Sequence, residues 1–413
     1  MNLLVSTVQE HIERLSGFTS TPGSGTTRLI FSEEEEAAKK YIRTQLEQLN
    51  MPVREDEFGN LFAVWQGGNL EAKEIWTGSH LDAPPSGGAF DGVAGIISSI
   101  EAVRMLKSSG FQPDRTIVIV IFAGEEPSRF GIGCLGSRLL TGTLSEQLMK
   151  GLRQEDGKSL YDVLQERGKS PQIAVSQQLN PDNVDRFVEL HIEQGPVLEQ
   201  HGETIGIVNR IAAPAEMQVT FVGKQRHAGA TPMLLRADPM PAAAAFILEI
   251  ERLFFEAEGP AYAVGTVGKM LVHPNASNVI PGRTTVTVDI RNSLNDEKNQ
   301  WIHIIQESAK RIAMERNLQV SCTLMGNDTS VSMDEDGMML LQQIVENEGL
   351  LYRFMPSGAY HDALHMASIV KTNMLFVPSK DGISHAPEEW TDYETLAKGI
   401  TVLAKFLKNL SKE

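Results

Sequence analysis

Residues 116–124, TIVIVIFAG, constrain the fold most: a continuous apolar run that ends in a sharp turn at glycine. With no polar alternation, such a strand has both faces buried, which requires a sheet covered by helices on both sides. The surrounding sequence supplies them. EEEAAKKYIRTQLEQLN (34–50) has amphipathic spacing, LFAVW (61–65) and EIWTGS (74–79) read as strands, and GVAGIISSIEAVRMLKSSG (92–110) is a helix stopped by glycine. Strands alternating with helices predict an α/β domain with a mixed, mostly parallel sheet and helices on both faces.

The pattern changes near residue 211. EMQVTFVG, PAAAAFILEIERLFFEAE (241–258), AVGTVGKMLV, TTVTVDIR, DEKNQWIHIIQESAKRIAMERN and LQVSCTLMG follow in order. Period-2 strands with two helices predict a small α+β, ferredoxin-like layer on an antiparallel sheet. GMMLLQQIVENEG, NMLFVPS and ETLAKGITVLAKFLKNL then return to the first pattern. The expected organisation is a catalytic domain of 1–210 and 327–413 with an inserted domain at 211–326.

A chain of 413 residues with 41% hydrophobic and 22% charged residues has the makings of a large folded core. Its formal charge of −16 argues against nucleic acid or an anionic membrane surface as partner, since both repel an acidic surface. The start, MNLLVSTVQEHIERLSGF, carries Glu10, Glu13 and Arg14 within its apolar periodicity and reads as an amphipathic helix rather than a signal peptide. Cys134 and Cys322 cannot staple a chain of this length, so a cytoplasmic setting is expected.

Chemistry-bearing residues gather where strands end. GSHLDAPPSGGAFDGVAG (78–95) holds His80, Asp82 and Asp91, Glu125 and Glu126 follow the 116–124 run, His191 stands in VELHIEQG and His385 in DGISHAPEE. Ligand sites of open α/β sheets lie beyond the carboxyl ends of the strands. Each residue alone is an ordinary loop residue or hydrogen bonder; four strand-end loops carrying ligand chemistry together are not. Imidazole and carboxylate donors without thiolate suit zinc, manganese or cobalt. Two such ions sharing Asp91 would generate a nucleophile at neutral pH, with Glu126 as ligand and its neighbour Glu125 as general base.

GSHLDAPPSGGAFDGVAG, AGEEPSRFGIGCLGSR, ELHIEQGPVLE, HAGATPM, NVIPG, DIR and GISHAPEE, in that order, resemble the dinuclear-metal amidohydrolases that include N-carbamoyl-L-amino acid hydrolase, allantoate amidohydrolase and ureidoglycolate amidohydrolase, within the carboxypeptidase G and aminoacylase superfamily. The resemblance runs from about 20 to 390. It implies two divalent ions on His80, Asp91, Glu126, His191 and His385, with Asp91 bridging. It implies Glu125 as general base and Asp82 as the carboxylate that orients a ligand imidazole. In the insertion it implies a substrate contact by His227, Asn278 and Arg291, with Arg291 on a substrate carboxylate and His227 on the carbonyl oxygen. Gln194 matches a substrate-contacting position. A homodimer through the insertion is implied as well.

SGAYHDAL carries Tyr360 and His361, both expected at the substrate, where Tyr360 would narrow the pocket or hydrogen-bond a hydroxyl; this tyrosine, with the proline of EEPSRF, resembles the ureidoglycolate branch more closely. The expected reaction is hydrolysis of a ureido C–N bond on a small carboxylate substrate, completed by closure between the domains. The rival is an aminopeptidase, dipeptidase or N-acyl-amino-acid deacylase of the same superfamily.

Overall fold

The apolar run at 116–124 becomes the strand Ile117–Phe122, buried at all six positions. Ile117, Ile119 and Ile121 enter one core with Ile96, Ile97 and Ile100, whereas Val118, Val120 and Phe122 are buried outside that core, on the opposite face. Each such side chain contributes about 1.5–3 kcal/mol by leaving water, which is why the run lies inside a covered sheet.

The computed structural model describes residues 2–257 and 263–412. Met1–Asn209, Ser332–Met355 and His361–Glu413 form one compact unit, and Arg210–Val331 with Pro356–Tyr360 form a second. Arg210 and residues 327–331 and 356–360, read from sequence with the catalytic domain, thus belong to the second unit.

The large sheet includes, in spatial order, Ile205–Ile211, Lys371–Val377, Val184–Ile192, Glu74–His80, Ile117–Phe122, Leu61–Trp65 and Val53–Glu55, and the short strands Val331–Ser332 and Tyr352–Ser357 join it beside Ile205–Ile211. The four from Lys371–Val377 to Ile117–Phe122 are parallel, and the flanking pairs are antiparallel. Helices Asn2–Ser16, Glu33–Gln48, Val93–Ser108, Glu335–Asn347 and Tyr393–Leu410 add Ile12, Ile42, Val103, Leu341 and Leu403 to the main core. Two features differ from the sequence reading. Ala83–Gly87, taken as irregular loop, is a short strand paired with Thr26–Arg28. Four short helices between Leu135 and Ser176 build a separate core around Phe31, Phe58, Leu139 and Leu164; their length leaves too few turns for a periodic signal.

The second unit has the antiparallel order Ala263–His273, Arg283–Asn292, Ala213–Val222, Gln319–Asn327. Met217, Val219, Phe221, Val286, Val288 and Ile290 alternate onto one face and meet Phe246, Ile250, Ile305 and Ile312 of helices Pro239–Phe255 and Asn295–Glu315. The helix expected over 241–258 ends at Phe255, and Glu258 lies outside the described residues. Among the described residues no helix is long and apolar enough to cross a membrane.

Candidate functional site

Parallel strands bring their carboxyl ends to one edge of the sheet. His80 ends Glu74–His80 in register with Phe122, so Glu125 and Glu126 follow directly on the neighbouring strand. His191 stands in register with Phe376 near the end of Val184–Ile192, and His385 lies on the loop after Lys371–Val377. Asp91 precedes the helix Val93–Ser108.

The two oxygens of Asp91 face different partners. Oδ1 lies 3.1 Å from His191 Nε2 and 3.5 Å from His80 Nε2. Oδ2 lies 2.9 Å from His385 Nε2, which is itself 3.3 Å from Glu126 Oε1. Two groups result, His80, Asp91 and His191 on one side and Asp91, Glu126 and His385 on the other, each with its donor atoms within 4.8 Å of one another. His191 Nε2 and Glu126 Oε1 are buried without a hydrogen bond, and buried polar atoms are seldom left so. Five nitrogen and oxygen donors, one of them a carboxylate shared between both groups, fit two divalent cations of the zinc, manganese or cobalt type. Gly92, at φ 65°, gives room for this: a Cβ there would stand 2.5 Å from His80 Nε2.

Charge is crowded at this edge. Burial drives the Glu125 carboxyl well above the ordinary range, with Glu126, Asp362 and Asp91 adding to the rise against His80. Burial, then Asp91, pushes Glu126 up to about 8. Asp91 goes the other way: burial opposes its charge, but the imidazoles of His191, His385 and His80 that face it outweigh burial and hold it well below the carboxylate range. His385 is raised to about 9, chiefly by Asp91. His80 is raised well above its usual value because Glu125, Asp82 and Asp91 together overcome its burial.

Asp82 meets both the His80 ring and the two glutamates. The acceptor for His80 Nδ1 is the Asp82 main-chain oxygen at 3.1 Å, while its carboxylate stands 3.6 Å away and takes the amides of Glu125 at 3.1 Å and Glu126 at 2.9 Å. The side chain therefore fixes the two glutamates while facing the imidazole, whose Nδ1 the backbone also holds. Glu125 Oε1 also lies 3.5 Å from the thiol of Cys134. Gln194, at φ 58°, turns its amide nitrogen inward to Asp91 Oδ2 at 3.0 Å and Ser384 Oγ at 3.1 Å. His361 is buried, its ring centroid 4.5 Å from that of His191.

In the second unit, His227 and Val279 are cross-strand partners, which sets Asn278 beside the histidine, both exposed. His227 Nδ1 accepts the amides of Gly229 at 3.1 Å and Ala230 at 3.2 Å, so its proton resides on Nε2, which becomes a hydrogen-bond donor. Arg291 already uses its fork: Nε and Nη2 bond Asp289, at 2.9 and 3.3 Å, and Nη1 bonds the Gly358 carbonyl at 3.0 Å. Tyr360 gives its hydroxyl to Asp328 at 2.7 Å.

Sequence reasoning missed the buried residues behind the cluster. Glu189 accepts Ser79 Oγ at 2.7 Å and groups with His191 and His361. Asp362, raised to about 8 first by burial and then by Glu189, takes Ser137 Oγ. Glu189 was within reach of pattern reading, since it shares with His191 one face of a period-2 strand; Asp362 had no such signal.

Residues 76–409 match the family described as Peptidase family M20/M25/M40. The chain belongs to this family. The M20/M25/M40 relatives include a ureidoglycolate hydrolase of Oryza sativa subsp. japonica, 39% identical over 98% of this chain and 84% of its own length. An N-carbamoyl-L-amino acid amidohydrolase of Geobacillus stearothermophilus is 37% identical over 92% of each chain. Among solved structures, AtUAH in complex with (S)-hydroxyglycine superimposes with a TM-score of 0.88 at 37% identity, over 98% of this chain and 97% of that one.

Proposed function

We propose that this protein is a metal-dependent amidohydrolase that cleaves the ureido C–N bond of a small carboxylate substrate, with ureidoglycolate the favoured member of that class. The observation that carries the chemistry is Asp91, shared between two donor groups beside the raised carboxyl of Glu125. The substrate class rests on the relatives, and the preference within it on two of them. (S)-Hydroxyglycine is the acid that remains when ureidoglycolate loses its carbamoyl group, and the Oryza relative is a ureidoglycolate hydrolase.

Two divalent ions held by His80, Asp91, Glu126, His191 and His385 supply Lewis acidity and a water of lowered pKa. Glu125 takes the proton of the attacking water and delivers it to the substituted nitrogen as the C–N bond breaks. Its carboxyl, raised by burial, is a better base for the first half of that transfer than an ordinary carboxylate. The products are the free amine and carbamic acid, which falls to ammonia and carbon dioxide. Asp82 keeps the two glutamates aligned. Arg291, three of whose five N–H groups serve Asp289 and Gly358, offers the other two, together with Asn278, to the substrate carboxylate, and the Nε2 proton of His227 meets the developing oxyanion.

We read the protein as a homodimer through the inserted unit, supported by three consecutive apolar residues left in solvent there, Met233 at 74%, Leu234 at 99% and Leu235 at 64% exposure. Both cysteines are free, in keeping with a cytoplasmic setting.

The test is ammonia release from manganese-loaded protein against ureidoglycolate, allantoate, N-carbamoyl-L-amino acids, N-acetyl-amino acids and dipeptides. Turnover of ureidoglycolate above the others supports the full reading. Turnover confined to another ureido acid keeps the reaction and removes the preference. Amino-acid release from dipeptides or acetylated substrates without ammonia overturns the proposal in favour of a peptidase or deacylase.

A further inference from the structure

Glu389 lies four residues after His385, inside the GISHAPEE motif, and is almost fully buried at 3% exposure. Its carboxylate spans two loops. Oε1 accepts the main-chain amides of Phe90 at 2.8 Å and Asp91 at 3.0 Å. Oε2 accepts the hydroxyl of Ser384 at 2.7 Å. Ser384 adjoins His385 and in turn accepts the Gln194 amide that also reaches Asp91 Oδ2. The approach is so close that a Cβ on Gly88 would come within 2.0 Å of Glu389 Oε1.

A second buried carboxylate beside Asp91 adds negative charge to an edge already rich in it, an arrangement that raises the energy of the cation-free protein. Three charge-assisted hydrogen bonds offset part of that energy, and they fall on the main chain of Asp91 and on the neighbour of His385. These two ligands need such support. His80 and His191 are set by strands, their backbones fixed in the sheet ladder. His385 stands on a loop in the left-handed region, at φ 54°, and is exposed. A non-glycine residue keeps that conformation only where its surroundings enforce it.

We propose that Glu389 is a positioning residue that clasps the Asp91 loop to the His385 loop and so builds the half of the centre formed by Asp91, Glu126 and His385. This rests on the reading of the cluster as a two-ion centre. Loss of the clasp acts unequally, loosening the ion on the His385 side and sparing the one on the His80 and His191 side.

Manganese and zinc binding to metal-stripped protein, by titration calorimetry with elemental analysis after dialysis, tests the proposal on the wild type, Glu389→Ala, Glu389→Gln and Ser384→Ala. The wild type is expected to bind two ions. Glu389→Ala is expected to keep one at near wild-type affinity and bind the other about 10–100-fold more weakly, the usual effect of losing a group that orients a ligand. Glu389→Gln retains an oxygen for the Phe90 and Asp91 amides and should lose less. Ser384→Ala cuts only the link toward His385 and should weaken the same ion, so it decides the matter should the alanine variant at 389 fail to fold. Wild-type affinity for both ions in Glu389→Ala or Ser384→Ala overturns the proposal, as does equal weakening of both. A wild type that binds no second ion sinks the two-ion reading beneath it instead.

Discussion

Replacing Glu125 by glutamine separates proton transfer from every other role of that side chain. The amide is isosteric with the acid. The Glu125 main-chain N–H that bonds Asp82 is untouched, and the oxygen facing Cys134 at 3.5 Å is retained. Because the substitution keeps the size of the side chain and its backbone contacts, Glu125→Gln should fold and bind two ions as the wild type does. What it cannot do is accept a proton from water and return it to nitrogen. Positioned acid–base groups contribute about 10²–10⁴-fold, which at about 1.4 kcal/mol per decade is about 3–5.5 kcal/mol of transition-state stabilisation. With manganese-loaded protein and the best ureido acid of the panel, kcat should fall by about that factor with KM within a few-fold, and elemental analysis should return the wild-type metal content. Retention of more than about a tenth of the wild-type kcat at full metal loading would refute the base assignment.

Asp91→Ala removes the carboxylate that both donor groups share and should abolish binding of the pair of ions, leaving at most one weakly held; elemental analysis after dialysis that finds two refutes the bridging role. Arg291→Ala should lower kcat/KM for carboxylate substrates by 10-fold or more, largely through KM, while substrates without a carboxylate change little; equal effects on both would remove Arg291 from substrate binding. In the metal-free protein the His385 proton, held up to about 9 chiefly by Asp91, must leave when a cation arrives. Affinity should therefore rise with pH up to about 9, and calorimetry at pH 7 in buffers of different ionisation enthalpy should find net proton release; none would contradict the assignment. Linkage fixes the companion sign: a raised histidine stabilises the metal-free fold fully below its unfolded value of about 6.5, and that contribution disappears as pH climbs through about 9.

Much of this was legible in the residues themselves. Ile117–Phe122 had to be an interior strand because six consecutive apolar side chains admit no solvent face, and the helices around it followed from their 3.6-residue spacing. The metal-competent residues were legible because their types are chemically narrow and they stand where parallel strands end. The motifs also carried the family. Only the tertiary structure decided which atoms meet. It gave the Asp82 carboxylate to two amides and the His80 ring to a carbonyl, made a strand of Ala83–Gly87 by supplying Thr26–Arg28 as its partner, and brought Glu389 to amides almost 300 positions earlier in the chain. The division has a physical cause. Burial of apolar surface is non-directional and leaves a periodic trace in composition, whereas a hydrogen bond between distant segments depends on angles and on distances of a few tenths of an ångström that arise only when the sheet has been assembled.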